Sequence, residues 1–233
     1  MSRTTPSGST PRTTATTRIS SRSRTRSVPN SSREQGPRPR AGAVTGEAER
    51  SDGEVRQLST RIAYETQWLR VREDDVLWPG GVRGVYSVVE RDDYALVLPR
   101  EREGFWLVEQ YRYPVGRRAW EFPAGGWPHG SVGGGAEALA RAELREETGL
   151  RAGRLTHLGR LAEAYGFVAQ SVDVFLAEEL EHGEHEREQT EQDMRQQWFA
   201  DSEVAAMVRS GAIIETAAVA ALALFHLERG SLR

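Results

Sequence analysis

The chain has 233 residues, of which 38% are hydrophobic, and it carries a formal net charge of −3. This length suffices for one globular domain with a hydrophobic core and an additional segment. Cysteine is absent, which excludes disulfides, a thiol nucleophile and a cysteine zinc site, and the five histidines show no paired ligand spacing. A metal site would therefore use oxygen ligands, which favours hard cations such as Mg²⁺ or Mn²⁺.

The chain shows no sign of membrane insertion or export. No apolar run reaches the roughly 18 residues that a membrane-spanning helix needs, and the N-terminus lacks the apolar core of a secretory signal. We therefore expect a soluble protein of the cytoplasm without a membrane partner.

Residues 1–55 are rich in Ser, Thr, Arg, Pro and Gly and contain almost no aliphatic side chains. Such a segment cannot bury enough apolar area to offset the entropy of ordering, so we predict a disordered tail. Its first 40 residues hold nine arginines against one acid, Glu34, a balance that would suit nucleic acid or an anionic surface. No aromatic residue interleaves the arginines to stack on bases. We therefore favour an extension without a selected function and expect no nucleic-acid partner.

From residue 56 the composition becomes that of a folded domain, which we place at 56–233. Residues 61–72 alternate as a strand does, Pro79-Gly80-Gly81 indicates a turn, and residues 82–90 favour a returning strand. Residues 94–99 are typical of a buried strand. The other predicted elements are strands at 105–112, 120–125, 155–164, 172–177 and 197–199, and helices at 136–148, 201–210 and 215–229.

These strands and helices alternate without a repeating βαβ rhythm. The pattern predicts a single α/β domain of the α+β type, in which a mixed sheet lies between helices. The helix at 215–229 is apolar over much of its surface and should pack against that sheet.

The helix at 136–148 carries the clearest chemical pattern, and we expect it to stop at Gly149, since glycine suits the left-handed C′ position. Glu143, Glu146 and Glu147 stand at i, i+3 and i+4, so they share one face. Their repulsion, roughly 3 kcal/mol per pair at an effective dielectric of about 20, would be relieved by a divalent cation. Taken alone, three such glutamates more often form a solvated helix surface than a metal site.

The surrounding motifs favour the metal site. Glu143-Leu-Arg-Glu-Glu-Thr-Gly-Leu150 resembles the second half of the Nudix box, G-x5-E-x7-R-E-U-x-E-E-x-G-U with U aliphatic. Trp120-Glu-Phe-Pro-Ala-Gly-Gly126 resembles the strand that enters the box. Glu109-Gln-Tyr-Arg-Tyr-Pro114 resembles a segment typical of the ADP-ribose pyrophosphatase branch. The resemblance covers residues 57–230 in the same order.

The resemblance implies a Nudix-like fold, with a mixed sheet between helices and an N-terminal antiparallel β element at 57–93. It implies metal-dependent hydrolysis of the pyrophosphate bond of a nucleoside-diphosphate compound, foremost ADP-ribose to AMP and ribose 5-phosphate. In this branch the N-terminal strands often pair with a second subunit, so a homodimer is expected.

The box is nevertheless incomplete. Ala142 stands at the position of its arginine, Gly134 stands at the position of its first glutamate, and the preceding loop is two or three residues longer. In the family that arginine usually orients a box carboxylate through a salt bridge. Its loss either lowers activity or is compensated by Arg141 or Arg145. The alternatives are therefore an ADP-ribose-binding sensor of Nudix fold without hydrolysis, and an RNA 5′-end pyrophosphohydrolase that uses the arginine-rich tail.

Position in the box implies roles for the glutamates of the helix. Glu143 and Glu147 would bind Mg²⁺ or Mn²⁺, and the backbone carbonyl of Ala124 would complete the site. Glu146 would be a third ligand or would orient a bound water.

A general base is implied in an acidic loop at 178–193. We choose Glu191 for this role because it shortly precedes the strand of Trp198, and Glu188 is the second choice. Glu184 and Glu186 are also available.

Substrate contacts are expected from side chains near the strand that leads to the box. Arg112 could bind a phosphate through its bidentate fork, and Arg100 is an alternative. Glu121 could contact a ribose or a metal, and a structural role for it is about equally favoured.

Overall fold

The computed structural model describes residues 54–127, 134–187 and 189–230. Almost all of the predicted 1–55 tail, part of the loop before the acidic helix, and Glu188 lie outside the described residues. The strands are β1 (Arg56–Glu65), β2 (Arg70–Leu77), β3 (Arg83–Glu90), β4 (Tyr94–Glu101), β5 (Gly104–Arg112), β6 (Arg117–Glu121), β7 (Ala124–Gly125), β8 (Arg151–Ala162), β9 (Val168–Ala169), β10 (Ser171–Glu181) and β11 (Arg195–Ala200). The helices are α1 (Ala136–Thr148), α2 (Asp201–Ser210) and α3 (Thr216–Glu228), with 3₁₀ turns at Tyr113–Val115 and Gln189–Glu191.

An N-terminal sheet has the strand order β1-β2-β3-β9. Its first three strands are antiparallel, and the short β9 pairs in parallel with β3. The single strand predicted at 61–72 is wrong, because a turn divides it into β1 and β2. At that turn the side-chain oxygen of Thr66 accepts the backbone N–H of Trp68 and Leu69 at 3.1 and 3.2 Å. These bonds satisfy backbone donors in the turn, so the chain reverses there without glycine or proline.

The larger sheet has the order β11-β5-β4-β10-β8, with β6 paired to β5 and β7 paired to β4. Strands β4 and β10 run parallel and the other neighbours are antiparallel, so the sheet is mixed, as the sequence predicted. The strand predicted at 120–125 is interrupted at residues 122–123, where the carbonyl of Pro123 accepts the N–H of Val97 at 2.9 Å. The interruption separates β6 from β7.

The larger sheet is covered on both faces. Leu96 and Leu98 of β4 belong to a buried cluster with Phe225 of α3, whereas Ala95 and Val97 belong to a second cluster with Leu144 of α1. Alternate residues of a strand point to opposite faces, so α1 and α3 lie on opposite sides of β4. The predicted arrangement of a sheet between helices is confirmed.

Helix α1 ends where the sequence indicated. Gly149 has φ 73°, and its N–H donates to the carbonyl of Arg145. A Cβ at Gly149 would also clash with the backbone of Gly183, so a loop passes directly against the end of the helix. Glycine is therefore required both by the left-handed φ and by this close approach.

Within the described ranges, no helix is long and apolar enough to cross a membrane.

Candidate active site

One glutamate of α1 has its side chain buried in the protein interior. Ala140, Leu144 and Glu147 occupy the buried side of the helix, and Glu147 is only 2% exposed. Glu146, one residue earlier, is one-third exposed and lies 3.3 Å from Arg145. The three glutamates of the predicted acidic face therefore differ in environment, and Glu147 is the one enclosed by the fold.

Glu143 lies against strand β7. A Cβ added to Gly125 would come 2.5 Å from Oε2 of Glu143 and 2.6 Å from its Oε1, so a side chain there would displace this carboxylate. The neighbouring Ala124 pairs with Leu96 of β4. The structure thus places the backbone of the predicted carbonyl ligand on the strand that Glu143 contacts.

Several of the predicted site residues meet around Glu147. Burial, followed by the charges of Glu143, Glu191 and Glu121, raises the pKa of Glu147 well above its usual value, and the charge of Arg112 opposes this rise. Oε2 of Glu147 is buried without a hydrogen-bond partner among the residues described. Strand, helix and loop residues that are far apart in the sequence are therefore assembled around one carboxylate.

The composition of this site fits a hard divalent cation. A buried carboxylate oxygen without a partner, close to three further carboxylates, is costly unless a positive charge compensates it. Among the described residues, no group of three or more acidic or histidine side chains is placed so that it could hold a metal ion as it stands. The site thus contains suitable oxygen donors, but their side chains do not converge on one position.

Arg112 and Glu121 form a cross-strand pair beside these acids. Nε and Nη2 of Arg112 donate to Oε2 and Oε1 of Glu121 at 3.0 and 2.6 Å, and Nε2 of Gln110 donates to Oε1 at 2.5 Å. Glu121 is 4% exposed, whereas Arg112 is half-exposed. Glu121 therefore holds Arg112 in place, and the guanidinium keeps an accessible edge.

A cavity of about 370 Å³ adjoins this pair. Its wall includes Arg112, Trp120, Glu121 and Glu215, so polar and aromatic groups face the same space. The volume is within the range of small-molecule sites.

Glu215 precedes α3 and was not predicted as a site residue. Burial and the charge of Glu121 raise the pKa of Glu215 to about 7, against the lowering effect of Arg112, and Glu163 adds to the rise. Its Oε2 is buried without a hydrogen-bond partner in the described part of the chain. The sequence shows only a glutamate before an apolar helix, a pattern that carries no sign of burial beside Glu121.

The predicted base Glu191 ends a 3₁₀ turn, and its carbonyl accepts the N–H of Met194 at 2.9 Å. Its charge acts on Glu147, so the acidic loop does reach α1. Glu184 and Glu186 of the same loop are exposed, and Glu186 lies 3.4 Å from Arg145. Glu188 lies outside the described residues.

Arg187 is a further site residue that the sequence reasoning missed. Its Nε donates to the carbonyl of Glu147 at 2.8 Å, and its Nη1 donates to the carbonyl of Met194. One signal could have found it, because Arg187 is the only arginine in the acidic stretch 178–193.

Arg100 lies apart from the other predicted site residues. Its side chain is buried, pairs through both Nη atoms with the carboxylate of Asp201, and stands 4.7 Å from the ring centre of Phe105. This guanidinium fixes the start of α2 against β4, so the structure does not bring Arg100 together with the carboxylates of α1.

Of the two arginines expected to compensate for Ala142, Arg145 contacts a box carboxylate and Arg141 does not. Arg141 donates to Glu137 at 3.0 Å and to the carbonyl of Ala152 at 2.8 Å. Arg145 pairs with Glu146 and Glu186. Arg141 thus links α1 to β8, and Arg145 links Glu146 of α1 to the acidic loop.

Two family models match the chain. The model of the nucleoside diphosphate sugar hydrolase N-terminal domain matches residues 55–89, and the model of the NUDIX domain matches residues 90–216. The boundary between the models falls at the last residue of β3, just before the chain passes from the N-terminal sheet to the larger one.

Curated relatives extend the comparison. The chain is 38% identical over 172 residues to an ADP-ribose pyrophosphatase of Mycobacterium tuberculosis, an alignment that covers 72% of this chain and 82% of the relative. It is 37% identical over 116 residues to an ADP-ribose pyrophosphatase of Bacillus subtilis, covering 49% of this chain and 61% of the relative. A solved structure described as an ADP compounds hydrolase superposes with a TM-score of 0.66 at 20% identity, over 77% of this chain and 97% of that one, which shows a shared fold.

Proposed function

The chain belongs to the NUDIX family, and from this membership we propose that it hydrolyses ADP-ribose to AMP and ribose 5-phosphate with the help of a divalent cation. The observation that carries the proposal is the enclosure of Glu147 beside Glu143, Glu191 and Arg112. This arrangement joins oxygen donors, a candidate base and a candidate phosphate-binding side chain in one place. The names of the curated relatives support ADP-ribose as the substrate.

Glu143 and Glu147, together with the backbone carbonyl of Ala124, would hold Mg²⁺ or Mn²⁺, and Glu146 would serve as a third ligand or orient a water. The all-oxygen donor set supports these cations. When bound, such ions polarise phosphoryl oxygens and lower the pKa of the attacking water.

Glu191 accepts the proton of the water that attacks phosphorus. A new P–O bond forms as the bond to the bridging oxygen breaks, and the bridging oxygen leaves with one of the two phosphate products. The charge of Glu191 acts on the proposed ligand Glu147. This supports the role, since a general base must lie within reach of the water from which it takes the proton. Glu188 remains the second candidate.

Arg112 donates N–H groups to a phosphate of the substrate. Its fixed pairing with Glu121 supports this role, because a guanidinium held at one edge presents its other edge in a defined direction. Glu121 acts through Arg112 and holds it in place.

The remaining assignments concern the whole chain. We place the hydrolase domain at 56–233 and a tail at 1–55, and we propose a cytoplasmic homodimer that pairs through the N-terminal β element, 57–93. All ten residues of β1 are exposed, among them Leu58, Ile62 and Tyr64, which supports pairing through this surface.

The test is hydrolysis by the purified full chain. ADP-ribose is incubated with Mg²⁺ or Mn²⁺, and AMP is measured chromatographically, with a chelator as control. We expect metal-dependent AMP release. Binding of ADP-ribose without turnover under any metal would instead indicate a sensor, and selective action on RNA 5′ ends that falls steeply with salt would indicate an RNA hydrolase.

A further inference from the structure

The acidic loop predicted at 178–193 begins only after β10, which extends to Glu181, and its described residues are fastened to the C-terminal end of α1. Gly149 allows the loop backbone at Gly183 to pass against the helix. The N–H of Glu186 donates to the carbonyl of Glu146 at 2.9 Å, and Nε of Arg187 donates to the carbonyl of Glu147 at 2.8 Å. These bonds cap carbonyls that a helix end leaves without intrahelical partners.

Arg187 also reaches the far end of the loop. Its Nη1 donates to the carbonyl of Met194, and the N–H of Met194 donates to the carbonyl of Glu191 at 2.9 Å. Nε2 of Gln192 donates to the carbonyl of Arg187 at 2.8 Å. One guanidinium thus joins the helix residue Glu147 to the segment that carries Glu191.

Charge gives Arg187 a second effect. The negative charges of Glu143, Glu191 and Glu121 all raise the pKa of Glu147 and so disfavour its ionised form. Arg112, which opposes this effect, is already paired with Glu121. Burial lowers the pKa of Arg187, and the charges of Glu147 and Glu191 oppose this. An arginine stays protonated under these conditions, so Arg187 supplies a permanent positive charge next to both acids.

We propose that Arg187 is a positioning residue for hydrolysis, which holds Glu191 in register with Glu147 and supplies the positive charge that Ala142 does not provide. The inference rests on the proposed function. It adds to the expectation that Arg141 or Arg145 would compensate. Arg145 does pair with the box carboxylate Glu146, whereas Arg187 is the arginine that bonds the carbonyls of both Glu147 and Met194.

The first test compares Arg187→Met with Arg195→Met in the full chain. Arg195 follows the same loop, but its side chain is largely exposed and lies 3.5 Å from Glu109. We expect Arg187→Met to lower kcat on ADP-ribose about 10–100-fold, the range found when a residue that orients a metal ligand is lost. The KM should change far less, since Arg112 contacts the substrate. Arg195→Met should match the wild type.

The second test measures the position of the loop without turnover. Hydrogen exchange in the Arg187→Met protein should accelerate at the amides of Glu186 and Met194, while the amides of β4 and β5 stay protected. An Arg187→Lys variant keeps the charge but lacks the planar fork that spans two carbonyls, so its kcat should lie between those of Arg187→Met and the wild type.

Unchanged kcat in Arg187→Met would overturn the inference, as would unchanged loop exchange. Should Arg187→Met fail to fold, Arg187→Lys decides, and wild-type kcat in that variant would contradict the bridging role. Failure of the proposed function would look different, because the wild-type protein itself would then release no AMP.

Discussion

In Glu147, one side chain combines the free-energy cost of a buried carboxylate with the proposed role of metal ligand. A carboxylate that is 2% exposed and has three acidic neighbours destabilises a protein unless a cation or a proton compensates it. Proteins place such groups mainly where function requires them. The environment of Glu147 is therefore more informative than its membership of a glutamate-rich helix.

Replacement of Glu147 separates its function from its effect on folding. Glu147→Gln keeps the shape but removes a buried charge from the acidic group, so we expect turnover of ADP-ribose to fall at least about 100-fold. The melting temperature should stay equal or rise, because repulsion among the acids decreases. Glu137→Gln, on the exposed first turn of α1, is the matched control. Full activity in the Glu147→Gln protein would remove Glu147 from the metal site.

Glu215 predicts a specific dependence of stability on pH. Its pKa of about 7 in the folded protein exceeds the ordinary 4.5, so the folded state binds this proton more tightly than the unfolded state. Its stabilising contribution is thus complete below about pH 4.5 and is lost as the pH rises through about 7. Between pH 5 and pH 8, the free energy of unfolding of Glu215→Gln should fall by about 1–3 kcal/mol less than that of the wild type. Urea denaturation at both pH values measures this.

The control for that experiment is Glu228→Gln, at the exposed far end of α3. It should retain the pH dependence of the wild type. If Glu215→Gln also retained it in full, the carboxyl of Glu215 would be ionised in the folded protein like an exposed one.

The residues that sequence spacing could predict are those on one helix. Glu143, Glu146 and Glu147 follow from the period of α1, and their neighbours in the box gave them roles. Arg187 and Glu215 could not be predicted in this way, because each becomes significant only through tertiary packing against Glu147 or Glu121. Arg100 is the opposite case. Its place on a strand near the predicted site suggested a substrate contact, but in the structure its guanidinium pairs with Asp201.

At the scale of elements, local chemistry decided which boundaries could be predicted. Helices α1 and α2 begin and end as the sequence indicated, and α1 ends at a glycine that serves as a stop signal. The turn between β1 and β2 depends on one threonine hydroxyl, which a pattern search for glycine or proline overlooks. Strand β9, only two residues long, leaves no alternation to detect.

The contact between β7 and α1 gives a prediction for an element pair. Gly125→Ala would place a methyl group 2.5–2.6 Å from the carboxylate of Glu143. A flexible carboxylate can move aside, so the melting temperature should change little, while displacement of the proposed ligand should lower kcat about tenfold or more. Gly166→Ala, which meets no atom within 4 Å, is the control. Equal kcat in both variants would show that Glu143 need not stay against β7.

At the scale of the whole molecule, sequence pattern predicted the mixed sheet between helices, because alternation and helical periodicity report which faces are buried. Alternation alone does not divide the strands into two sheets, since the strands of both alternate alike. The family resemblance did imply a separate N-terminal antiparallel β element, and β1 to β3 confirm it. The predicted tail at 1–55 stays a prediction, because the described residues begin at 54.

The N-terminal sheet supplies the last prediction, a homodimer. Ile62 and Tyr64 of β1, an edge strand of that sheet, are 49% and 59% exposed, although both are large hydrophobic side chains. A monomer gains nothing from leaving such a surface in water, whereas a second copy of the chain would bury it. Light scattering should give about twice the 26.0 kDa of one chain. Ile62→Asp, which places a charge in that interface, should shift the mass toward the monomer.

Val219→Asp is the control for this change, because Val219 is also large, apolar and 41% exposed but lies on α3, away from the N-terminal sheet. It should leave the dimer intact. A stable interface of ordinary size buries about 1,600 Å² in total, so a single charge buried within it should weaken association measurably at micromolar concentration. A wild-type protein that is monomeric at such concentrations would instead leave the apolar face of β1 for a different partner.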